Sequence, residues 1–167
     1  MKSNDNVIKR IRQKTIDKEI ILNPVIPEEV IRQFEQQNEI IFPEEFVEFY
    51  TLVGNGGIMI DEFPLKRFEK LRIDIEQVRQ EFPFSEHWIW EVDPEGGNRD
   101  DVVKGNIELI DIGDAQTWNL IINGKERGKM WFFVDVGIQP CAPGRDFFSW
   151  YEYWLDGNDD YFSAFYT

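Results

Sequence analysis

Two Pro-Glu-Glu triplets, beginning at Pro27 and Pro43, and a glycine-rich stop at Gly54-Asn55-Gly56-Gly57 constrain this chain more than any other feature. Proline suits a helix start, where its missing N–H would have no partner, and glutamates favour the positive end of the helix dipole. After Pro27, the residues Val30, Ile31 and Phe34 lie at the spacing of one apolar helix face, and the pattern fades near Asn38. After Pro43, the residues Phe46, Val47, Phe49, Tyr50 and Val53 supply a broad apolar face suited to burial against a sheet. Glycine just past a helix end takes the left-handed conformation without steric cost, so Gly54 to Gly57 should close the second helix.

Beyond this stop the periodicity changes. Ile58, Met59 and Ile60 read as a short strand, and residues 63–71 lead towards a helix near 69–81. Residues 87–90 form a plausible strand and 91–104 an acidic, glycine-bearing loop. Residues 107–112, 119–122 and 130–136 read as strands separated by turns at Gly113-Asp114 and Asn123-Gly124. The second arm of the Asn123-Gly124 hairpin is placed near Lys129. Residues 140–144 read as a loop, 147–155 as an amphipathic helix ending at Asp156-Gly157, and 158–167 as an acidic, aromatic tail. Helices, then a meander of strands, then a closing helix describe a single α+β domain over residues 21–167 with a mainly antiparallel sheet. Residues 1–20 read as a basic segment that is either a weak helix or partly disordered.

The chain of 167 residues is 42% hydrophobic and 15% aromatic, enough for one well-filled core. The net charge is −14, yet residues 1–20 carry six basic side chains against three acids, so the remainder is more acidic than the total suggests. Such a field repels phosphate backbones and draws cationic partners, which argues against direct nucleic-acid binding. The single cysteine, Cys141, allows no internal disulfide. No signal-peptide pattern and no apolar run of membrane-spanning length is legible, so the expected compartment is the cytoplasm, with no membrane partner.

The search for chemistry finds no Walker loop and no Gly-x-Gly-x-x-Gly after a strand. A Cys141–His87 nucleophile pair has no supporting local sequence, and one His with one Cys is too few for a usual zinc site. Glu91-x-Asp93-x-Glu95-Gly96 imitates the start of a calcium loop, but Val102 stands where the bidentate glutamate belongs. Asp156-x-Asn158-x-Asp160 alternates similarly but has Phe162 after the next residue in place of a glycine. Acid pairs of glycosidase type are unavoidable among 32 acids and carry no weight. No catalytic residue, metal or cofactor is assigned.

The run from Pro27 to Gly57, with Phe42-Pro43, Phe46, Phe49 and the Asn55-Gly56-Gly57 turn, resembles the SMI1/KNR4 (SUKH) superfamily. Residues 105–114, 119–122 and 128–133 resemble the family's strands, and Phe147-Phe148-Ser149-Trp150-Tyr151 its closing helix. The resemblance spans roughly residues 25–157. Phe42 stands where the family usually has leucine, and the basic start, the acidic stretch 91–104 and the aromatic tail depart from it. The resemblance implies helices packed on a curved antiparallel sheet and no catalytic set. It further implies an immunity protein that binds and neutralises a bacterial toxin domain, often a nuclease, or alternatively a regulatory or scaffold module of the same fold. The expected contact residues are Trp88, Trp90, Asp93, Glu95, Asp100, Asp101, Asp114 and Trp118. The competing reading is that Trp88 and Trp90, two apart, face the core. Oligomeric state stays open.

Overall fold

The computed structural model describes residues 4–59, 62–141 and 145–160. The first helix begins earlier than the first Pro-Glu-Glu start. Helix α1 (Asp5–Asp17) buries Ile8, Ile11 and Thr15 on one face and belongs to the main core. Residues 1–20 are therefore not a separate segment in their described part. Arg10 donates to Glu152 at 2.8 Å, and Lys14 reaches Asp156 at 2.7 Å and Glu152 at 2.9 Å. Two of the four basic side chains of α1, Arg10 and Lys14, are thus paired within the molecule.

Both proline starts form as expected. Pro27 and Pro43 stand in extended conformation ahead of helices α2 (Glu28–Asn38) and α3 (Glu44–Glu48), and α3 continues as a π-helical turn, Phe49–Val53. Glu35, almost fully buried, holds the connection between them. Its carboxylate accepts from the Phe42 N–H at 2.8 Å and from Arg32 at 3.0 Å. Phe46, Val47, Phe49 and Tyr50 are all buried, because a widened helical turn carries more of its circumference into the core.

The glycine stop works differently at Gly54 than its sequence suggests. Gly54 is extended, not left-handed, and a Cβ there would lie 2.7 Å from Leu22 Cβ. Close approach of the Leu22 side chain demands this glycine. The positive φ falls at Gly56, 73°, where a Cβ would meet the Leu65 carbonyl oxygen at 2.4 Å. Asn55 is buried; its side chain accepts from Phe68 N–H at 2.8 Å and donates to Glu69 at 3.0 Å. The turn is a structural joint.

Strands β1 (Gly57–Met59) and β2 (Phe63–Leu65) pair antiparallel. The helix expected near 69–81 shrinks to a 3₁₀ turn, Phe68–Lys70, and one short helix, α4 (Ile75–Val78). Phe82 N–H donates to Asn123 O at 2.9 Å and the Asn123 side chain donates to Val78 O at 2.6 Å, so the chain is drawn to the sheet before the helix can lengthen.

The main sheet is wholly antiparallel, in the order β3 (Trp88–Ile89), β7 (Gly137–Pro140), β6 (Met130–Val134), β5 (Gln116–Ile121), β4 (Asn106–Gly113). Strand β7 lies where a loop was expected at Pro140. Its hairpin with β6 turns on Asp135-Val136, a pair without glycine that gives no turn signal. A bulge at Leu109 lets both Leu109 and Ile110 reach the core. Helix α5 (Phe147–Leu155) starts at Asp146, whose side chain accepts from Ser149 N–H at 3.0 Å.

Both faces of the sheet are covered. On one, Trp118, Leu120, Met130 and Leu109 meet Phe46, Phe49, Phe147 and Trp150 from the helices. On the other, Ile121, Trp131 and Ile138 meet Phe82 and Trp88 from the long connection between α4 and β4. The architecture is α+β. Ala142 to Gly144 and the aromatic tail beyond Asp160 lie outside the described residues.

Candidate functional site

The acidic loop is built on an indole. Trp88 sits in β3 opposite Ile138 and is buried, its ring stacked on Phe84 at 5.4 Å. Its ring N–H donates to Asp93 O at 2.7 Å. The loop folds back so tightly that a Cβ on Gly96 would stand 2.7 Å from that same nitrogen. Trp88 therefore anchors the loop from beneath and is removed from the contact residues.

Trp118 is removed for a related reason. It is 3% exposed and lies on the helix side of the sheet, 4.7 Å from Phe132 and 5.7 Å from Trp150 between ring centres. Strand alternation puts Thr117 and Asn119 on the other face.

Trp90 is only partly buried. It meets Trp88 edge-on at 5.4 Å, and Arg99 lies 4.8 Å from its ring centre. Asp93, Glu95 and Asp100 are exposed. Asp101 is half-buried and paired with Lys104 at 2.6 Å, which spends its charge locally. Asp114 is exposed at the tip of the β4–β5 hairpin, with φ 52°.

The topology gathers several of these groups. Strands β4 and β6 run to the same end of the sheet, so the hairpin tips at Asp114 and Asp135 lie there together. Trp90 N–H donates to Val136 O at 3.0 Å, which starts the acidic loop at that same end. Exposed Glu91 and Asp135, and Val92 at 83% exposure, thus join Asp93 and Asp114. Sequence reading missed these three.

Other titratable groups lie elsewhere in the fold. Cys141 is sealed in the core, where burial pushes its thiol well up, the opposite of what a nucleophile needs. His87 is exposed at the start of β3. Among the described residues, no group of three or more His, Cys, Asp or Glu side chains is placed to hold a metal ion. In the loop 156–160, Asp156 pairs with Lys14 and Asp160 accepts from the Tyr153 hydroxyl. Glu45, largely desolvated and beside Asp146 and Glu48, is pushed up to about 7 despite accepting from Phe148 N–H at 3.0 Å. Hydrogen bonds from Arg10 and Lys14 hold Glu152 down at about 2.

The residues on which the resemblance was read are framework. Pro43 leads α3, Phe46 and Phe49 fill the core, and Asn55, Gly56 and Gly57 form the joint described above. No described helix is long and apolar enough to cross a membrane. Comparison with protein-family models, with curated proteins and with solved structures returned no match.

Proposed function

We propose that this chain is a non-catalytic, cytoplasmic protein-binding domain of SUKH type, an immunity protein that neutralises a basic bacterial toxin domain. A nuclease is the toxin class whose charge fits best, because enzymes that bind phosphate backbones carry the complementary sign. The observation that carries the reading is the collection of exposed carboxylates at one end of the sheet, Glu91, Asp93, Asp114 and Asp135, on a chain of net charge −14. Pairing of Arg10 and Lys14 with Glu152 and Asp156 leaves those cations little influence outside the molecule. The reading involves no cofactor, metal, nucleic acid or membrane.

The test is co-expression with the protein encoded beside this one. Restored growth of cells carrying that protein, with co-purification of the two chains, supports the proposal. A neighbour that is harmless alone, or a toxic one that neither binds nor is relieved, overturns it.

A further inference from the structure

A second surface, lined by residues other than those of the acidic sheet end, has the form of a docking site. Between α1 and α2 the chain crosses the outside of the molecule in extended form. Asn23 N–H donates to Gly56 O at 2.9 Å and Ile26 N–H to Tyr50 O at 3.1 Å. Leu22 packs against the core, while Ile21 and Val25 are 79% and 48% exposed. Ile58 and Leu52 stand out beside them at 56% and 44%.

These side chains line two neighbouring concavities. One, of about 270 Å³, has Ile21, Ile58, Met59 and Trp154 between Glu19 and Glu62. The other, of about 460 Å³, has Val25, Ile26 and Leu52 with Glu28 and Glu48. Among the described residues, neither lining includes a lysine or arginine. Single exposed apolar residues are ordinary on a monomer, but contiguous ones with a polar rim mark places where another molecule is covered. Here the rim has one sign of charge.

We propose that this face binds a cationic amphipathic segment of a protein partner. An apolar side chain enters the cleft between Ile21, Ile58 and Trp154, and lysines or arginines beside it pair with Glu19 and Glu62. The proposal rests on the reading of the chain as a protein-binding domain and gives its parts separate tasks: the acidic sheet end steers, and the cleft holds. A second copy of the chain suits the cleft poorly, since each copy would bring a net charge of −14.

The probe is a labelled amphipathic peptide of leucine and lysine, compared at 0.15 M salt (about physiological strength) with an all-lysine peptide of equal charge. The expected result is binding of the leucine-containing peptide at least about tenfold tighter than its counterpart. Ile21→Ser/Ile58→Ser removes that margin, and Glu19→Gln/Glu62→Gln weakens both peptides. Glu81→Gln/Glu86→Gln, at exposed carboxylates outside both surfaces, leaves the margin in place. Both isoleucines are exposed, so an unchanged far-ultraviolet dichroism spectrum confirms the fold of the first variant. A wild-type protein that does not distinguish the peptides, or a margin that survives Ile21→Ser/Ile58→Ser, overturns the proposal. So does a sedimenting homodimer that this double variant dissolves. Each of these outcomes leaves the toxin reading intact, because that reading fails only when the encoded neighbour does not bind.

Discussion

Replacing Glu152 by glutamine removes the carboxylate that ties α5 to α1. Arg10 and Lys14 both reach it, and together they hold its pKa at about 2 against an ordinary value of 4.5. Taken at face value the shift corresponds to about 3 kcal/mol of differential interaction at neutral pH. Arg10 is half exposed and Glu152 is 15% exposed, so solvent screening reduces this to about 1–2 kcal/mol. The folded pKa lies below the unfolded one. The contribution is therefore whole above pH 4.5 and is lost as pH falls through 2. Urea unfolding of wild type and Glu152→Gln across that window measures the difference directly. The expected result is a gap of about 1–2 kcal/mol at pH 7 that closes towards pH 2. A gap within about 0.3 kcal/mol at pH 7, or one that does not change with pH, refutes the idea that the basic start of the chain is clamped to the last helix.

Two further substitutions read other parts of the framework. Asn55→Ala strands the buried Phe68 N–H and should cost about 2–3 kcal/mol in urea unfolding, whereas a loss under about 0.5 kcal/mol would show that the joint does not depend on it. Glu45→Gln tests the carboxyl whose pKa stands at about 7. Its folded pKa is raised, so its contribution is full below 4.5 and lost as pH rises through 7; the glutamine variant should gain about 3 kcal/mol over wild type at pH 8 and nothing at pH 4, and equal stabilities at both would contradict the assignment.

Features that depend on the backbone were legible. Proline restricts φ and removes a donor wherever it stands, so the starts of α2 and α3 are written locally. The span of α5 is legible for a similar reason, since Asp146 caps it and Gly157 follows it. What was not legible depends on partners distant in sequence. Helix α1 is weak by composition and is secured by Glu152 and Asp156. Helix α4 is cut short by bonds to Asn123. At Gly54 the glycine answers to Leu22, which lies far back along the chain.

The candidate surface divides in the same way. Charge is a sum over composition, and the acidic character of 91–104 needed no structure to find. Whether an aromatic points in or out is a matter of strand register. Thr117, Trp118, Asn119 and Leu120 alternate polar and apolar, which would have placed Trp118 inside had the period been applied residue by residue. Trp88 and Trp90 share a spacing of two, but the strand ends at Ile89, and only Trp88 is buried. Ile21 and Ile58 are distant in sequence, and only the tertiary fold joins them.

The most direct measurement is the association rate between this chain and the protein encoded beside it, followed by stopped flow from about 0.05 to about 0.5 M salt. Wild type should slow by about tenfold or more over that range, and a variant with Glu91, Asp93, Asp114 and Asp135 changed to amides should start slower and converge with it at high salt. Association that is equally fast in both proteins and flat with salt would contradict the account.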